Sequence, residues 1–160
     1  VQDQVRFGVA SEFGDTINNF DADGTVDIVG FNGTLRTTYD DNGNGAFSWA
    51  SGNGAAGSKV TTSISSVEGL FLTGANGEGV TNAQLGDATA VAAALTNEFT
   101  LSNGFGLSAL AVVNDTDGNS FSVWAYAEAG TSSVVSAGEL TLIGIFNANT
   151  TVTTTSFNFV

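Results

Sequence analysis

Residues 111–146 read AVVNDTDGNSFSVWAYAEAGTSSVVSAGELTLIGIF, and the fold class follows from this stretch. A short apolar run, Ala111, Val112 and Val113, enters an acidic turn, Asn114-Asp115-Thr116-Asp117-Gly118-Asn119. The next segment alternates. Phe121, Val123, Ala125 and Ala127 fall on one face, and Ser122, Trp124, Tyr126 and Glu128 on the other. After a Gly/Ser/Thr loop, residues 140–146 form a second apolar strand. Period-two alternation bounded by turn residues is the pattern of a half-buried β-strand. Oxygen donors at Asn114, Asp115, Asp117 and Asn119, around a glycine bend, suit a hard cation such as Ca²⁺.

Much of the chain repeats this recipe of strand, Asp/Asn/Gly turn and strand. Residues 1–10 place Val5, Phe7 and Val9 on one face of a first strand. Ile17 and Phe20 anchor a polar segment that ends in the tight turn Asp21-Ala22-Asp23-Gly24. Residues 25–35 read as strand, Asn32-Gly33 as a hairpin turn, and 36–39 as the strand that continues. Asp40-Asp41-Asn42-Gly43-Asn44-Gly45 is a second acidic loop, and strand resumes over 46–50. Residues 51–59, SGNGAAGSK, rich in Gly and Ser, read as the best candidate for a mobile surface loop. Residues 60–72 carry two strand pieces. One helix is expected between 82 and 99, with Asp87 as N-cap and Val91, Ala92, Leu95 and Phe99 at helical spacing. Residues 99–113 read as a hairpin-like pair around Asn103-Gly104, and 150–160 as a terminal β-branched strand. The expected architecture is all-β: a single domain over 1–160, built as a two-sheet, jelly-roll-like β-sandwich with one short α-helix.

Composition narrows the function. The chain has 16 Asp and Glu against Arg6, Arg36 and Lys59, a formal net charge of −13. Phosphate contacts need clustered Lys and Arg, so nucleic acid is excluded as a partner, and an anionic membrane surface is disfavoured. No run approaches the length of a membrane span, so insertion is not expected. With 42% hydrophobic residues, the excess charge belongs to a folded chain whose carboxylates are solvated or met by cations. No His and no Cys means no Ser-His-Asp or Cys-His catalysis and no imidazole or thiolate zinc site. Glu68, Glu98, Glu128 and Glu139 read as solvated carboxylates, and the chain as non-enzymatic. It has no methionine, so residue 1 is expected to be a processing site, an excision point or an artificial boundary, with the native N-terminus elsewhere. It also has no proline, one of the usual devices that keep strand edges from pairing with other chains.

The last third resembles the C-terminal domain of bacterial proteins exported by type I secretion, including calcium-binding RTX-type and surface-layer proteins. The resemblance lies in an order of features. An alanine-rich helix over 87–96 precedes GFGLSALAVVNDTDGNS, then SFSVWAYAEAG, VSAGELTLIGIF and the tail SFNFV. Near the front, FGDTINNFDADGTVDIVGFNG is similar to segments that link RTX repeats to such domains. The tandem G-G-x-G-x-D nonapeptide is absent, so either the repeats lie upstream of residue 1 or isolated acidic turns replace them. The resemblance implies a secreted, extracellular or cell-surface protein.

Three groups are candidate Ca²⁺ ligands: Asp21, Asp23 and Asp27; Asp40, Asp41, Asn42 and Asn44; and Asn114, Asp115, Asp117 and Asn119. None is an EF-hand, because position 12 counted from Asp21 is Asn32 and from Asp115 is Tyr126. The same residues are also favoured turn formers between strands. The leading expectation is a structural subunit of a bacterial surface filament or surface layer. It would join copies of itself through edge or terminal strands, 1–10 or 150–160, with Ca²⁺ at the acidic turns. The alternative is an adhesin or carbohydrate-binding module that presents Trp49, Trp124, Tyr39 and Tyr126 as an aromatic face.

Overall fold

A computed structural model describes residues 3–21, 27–40, 43–52, 58–74, 79–102, 107–130 and 132–160. The strands are β1 (Asp3–Phe7), β2 (Asp15–Phe20), β3 (Asp27–Phe31), β4 (Trp49–Gly52), β5 (Val60–Thr62) and β6 (Gly69–Leu72). They continue with β7 (Phe99–Leu101), β8 (Ser108–Asn114), β9 (Ser120–Ala127), β10 (Leu140–Ala148) and β11 (Phe157–Phe159). Two short helices join them, α1 (Gly33–Tyr39) and α2 (Ala88–Glu98). The chain is therefore β-rich, as expected. Its central sheet has the order β2-β10-β9-β8-β6-β4, beside a three-stranded sheet β1-β3-β11 and a pair β5-β7.

The opening stretch forms as read. β8, the Asp115–Asn119 turn and β9 make an antiparallel hairpin in which Asn114 pairs with Phe121, and β10 returns antiparallel to β9. The other six ladders among the described residues are parallel: β1–β3, β3–β11, β2–β10, β4–β6, β6–β8 and β5–β7. The reason is how the chain winds. Successive strands such as β1, β2 and β3, or β4, β5 and β6, switch sheets, so each sheet regains the chain only after a full circuit. A strand that arrives by such a crossover runs parallel to the one before it.

The central sheet divides two cores. Leu70, Leu72, Ala109, Ala111, Val113, Trp124 and Tyr126 face α2, whose Val91, Ala92 and Leu95 lie against them. From the opposite face, Phe71, Leu110, Val112, Phe121, Val123 and Phe146 meet Phe7, Val29, Phe31, Phe157 and Phe159 of the three-stranded sheet. A sheet covered on both faces uses apolar residues at consecutive positions, which is why β6 and much of β8 are buried throughout.

Several local expectations change. Asn32-Gly33 does not turn a hairpin, and residues 36–39 are not strand: both belong to the start and body of α1. Leu35 and Tyr39, four apart, share the buried face of that helix, a helical spacing inside a segment read as alternating. Residues 99–113 do not form a hairpin, because β7 pairs with β5 while β8 pairs with β6 and β9; residues 103–106 lie outside the described residues. The terminal strand is confined to Phe157–Phe159, after a 3₁₀ turn at Thr154–Ser156. The loop expected at 51–59 begins as β4 strand at Ser51 and Gly52, and its residues 53–57 lie outside the described residues. Helix α2 begins as read, with the Asp87 carboxylate accepting from Thr89 N–H at 2.9 Å and Ala90 N–H at 3.4 Å.

Candidate functional site: acidic turns and buried carboxylates

In the first candidate group, Asp27 opens β3 with its carboxylate turned back on the chain, and residues 22–26 lie outside the described residues. One oxygen accepts from Asp3 N–H at 3.1 Å and the other from Asp21 N–H at 2.8 Å. This buried side chain ties the start of β1 and the end of β2 to β3. Asp21 is half-buried, and Asp23 lies outside the described residues.

The second turn follows α1. Asp40, buried, accepts from Gly45 N–H at 3.1 and 3.3 Å and lies 3.5 Å from Arg36 Nε. Asn44 Oδ1 accepts from Ala46 N–H at 2.7 Å. Asp41 and Asn42 lie outside the described residues. Next to Asp40, burial pushes the Tyr39 phenol up to about 12 from its ordinary value of 10.0. The stability that depends on neutral Tyr39 is fully present below its ordinary value and is lost as pH rises through about 12. A tyrosinate absorbance titration should show Tyr39 ionising only with alkaline unfolding, and Tyr39→Phe should delete that step.

In the third turn Asn114 and Asp115 are buried. Asp115 Oδ1 accepts from Asn119 N–H at 3.0 Å and Ser120 N–H at 3.3 Å. Asn114 Nδ2 donates to the Leu72 carbonyl at 2.9 Å, tying β8 to β6, while its buried Oδ1 has no hydrogen-bond partner. Asp117 and Asn119 are exposed. In each group one carboxylate, that of Asp27, Asp40 or Asp115, binds backbone N–H groups, the chemistry that makes Asp a turn residue. Among the described residues, no three acidic groups converge as a metal-binding cluster.

What the sequence reading missed is the burial of four glutamates. Glu68, Glu98 and Glu128 are each 2% exposed and Glu139 8%, so none is solvated. Glu68 accepts from Ser48 N–H at 2.7 Å and from the Ser48 hydroxyl. Glu98 lies over Gly52, where a Cβ would come within 2.1 Å of its Cγ. Glu128 accepts from the Tyr126 hydroxyl at 2.5 Å and Gly130 N–H at 3.0 Å. Glu139 accepts from Ser136 N–H at 2.8 Å and Ala129 N–H at 3.1 Å. Burial raises the Glu139 carboxyl, but the hydrogen bonds donated by Ser136 and Ala129, with the neighbouring Glu128 side chain, outweigh it and hold it below the ordinary glutamate range. Because β9 ends at Ala127 and β10 begins at Leu140, opposite Tyr126, these two carboxyls share one end of the central sheet, and Glu68 joins them ahead of Gly69. The one usable signal was the Ser136–Glu139 spacing, a capping box closing a 3₁₀ turn.

The aromatic face does not form. Trp124, Tyr126 and Tyr39 are buried, and Trp49 is half-buried against Phe47, Phe71 and Phe157. Among the described residues, no helix is long and apolar enough to cross a membrane. Comparison of the chain with protein-family models, curated proteins and solved structures finds no match.

Proposed function

We propose that this chain is a structural, non-enzymatic subunit of an extracellular bacterial filament or surface layer, joined to copies of itself through strand edges. The observation that carries the reading is the strand order β1-β3-β11, which sets the first and last strands among the described residues on opposite edges of one parallel sheet. The two edges of a parallel sheet differ, so β11 of one copy can continue the sheet onto β1 of the next. Such a head-to-tail contact does not close and generates a filament. No proline blunts either edge. In this reading the three-stranded and central sheets act as the two layers of a sandwich, and type I export rests on the resemblance of the C-terminal third. Ca²⁺ enters through charge: copies at −13 repel, and cations at the acidic turns around Asp27, Asp40 and Asp115 would lower that barrier.

The test uses the direction of the β1 backbone. Phe7 C=O accepts from Asn32 N–H, and Asp3 N–H reaches Asp27 on β3. Alternation then turns Gln4 and Arg6 N–H toward the open edge. Arg6→Pro should abolish assembly seen by light scattering and electron microscopy while circular dichroism stays unchanged; Arg6→Ala, which keeps the N–H, should assemble. Assembly by Arg6→Pro at the wild-type level rejects the β1 edge. A wild-type chain that stays monomeric with Ca²⁺ and with chelator rejects the whole reading.

A further inference from the structure

The second acidic turn holds a pair of reactive groups that the assembly reading does not use. Asn44 is exposed and is followed by Gly45, which has φ 75° and no Cβ to shield its nitrogen. The Gly45 N–H points at the Asp40 carboxylate, 3.1 Å from the nearer oxygen. The Asn44 side-chain oxygen accepts from Ala46 N–H at 2.7 Å. One partner is therefore an acceptor for the proton of a backbone nitrogen, and the other is a donor to the neighbouring side-chain carbonyl.

We propose that Asn44 is a self-modification site, deamidated by attack of its own backbone. The Gly45 nitrogen gives its proton to Asp40 and bonds to Asn44 Cγ, and the carbonyl electron pair moves onto Oδ1, where Ala46 N–H stabilises the charge. The carbonyl re-forms, the Cγ–Nδ2 bond breaks, and the nitrogen leaves as ammonia with the proton returned from Asp40. Water then opens the cyclic imide. Addition at the side-chain carbonyl gives aspartate, and addition at the main-chain carbonyl gives isoaspartate. No electrons are gained or lost overall, and water is the only co-reactant.

Asn32-Gly33 is the same dipeptide without this setting: Asn32 is half-buried, and Gly33 is already the first residue of α1. It serves as an internal control. The experiment incubates the folded chain and the urea-unfolded chain in mildly alkaline buffer and follows each Asn-Gly peptide by mass mapping and isoaspartate labelling. Conversion at Asn44 should run about tenfold faster in the folded chain, a modest share of what a positioned base can contribute. Asp40→Asn should return it to the unfolded rate. Arg36→Ala removes the cation 3.5 Å from Asp40 but keeps the carboxylate, so it should preserve or raise the rate. Asn44 converting no faster in the folded chain than unfolded, or no faster than Asn32, overturns the proposal. Should Asp40→Asn disturb the fold by circular dichroism, Arg36→Ala decides: a fall to the unfolded rate overturns it.

Discussion

Phe146→Ala is expected to cost about 4 kcal/mol of folding stability, within the usual span for emptying a buried phenylalanine site. The ring is fully buried. It stacks on Phe121 at 4.6 Å with planes 3° apart, and meets Phe20 at 5.3 Å and Phe7 at 6.4 Å edge-on. Those partners come from β9, β2 and β1, so one truncation loosens the central sheet from the three-stranded sheet. Aromatic pairs add about 1 kcal/mol each beyond area, and domains hold only about 5–15 kcal/mol in all. Urea unfolding followed by tryptophan fluorescence should show a midpoint shifted far down with an unchanged slope. Phe146→Leu should recover more than half the loss. A Phe146→Ala chain within about 1 kcal/mol of wild type would mean that the core is not packed as described.

Gly74→Ala should destabilise by about 3 kcal/mol, from two causes that add. Gly74 has φ 71°, the left-handed region that an L side chain rarely adopts, and its Cβ would lie 2.4 Å from the Asp115 carbonyl oxygen and 3.2 Å from Asn114 Cβ. The clash is with backbone, so relief means moving the β8–β9 turn away from the end of β6. Gly43→Ala is the matched control. Its φ is 66°, but nothing lies within 4 Å of the new Cβ. It should lose only the conformational share, about 1 kcal/mol. Equal costs at the two positions, measured by the same urea titration, would show that the contact at Asp115 contributes nothing.

Both predictions rest on contacts between residues far apart in the chain, and the candidate site shows the same division. The second and third acidic turns were legible because Asp, Asn and Gly act locally: Asn44 bonds the residue two ahead, and Asp115 those four and five ahead. The glutamates were not. Glu68 is satisfied by Ser48, twenty residues back, and Glu139 by Ala129, ten residues back. A buried carboxylate needs donors, and where these sit ten or twenty residues away no pattern around the residue announces them; Glu128, met by Tyr126 and Gly130, and Glu139, met also by Ser136, have local donors as well.

For the fold, alternation at Phe121–Tyr126 and the Asp87 cap sufficed to place β9 and α2, since period and capping are set within a few residues. The β-rich class followed from the same local rules. Pairing direction did not. Alternation says which side chains share a face of a strand, but is silent on which strand lies alongside and which way it runs. Whether β6 meets β4 and β8 in parallel depends on the chain completing a circuit through β5, α2 and β7. Asn32-Gly33 shows the competition at a single point. Its local preference is for a tight turn, and burying Leu35 and Tyr39 together against the phenylalanine core made it the start of a helix instead.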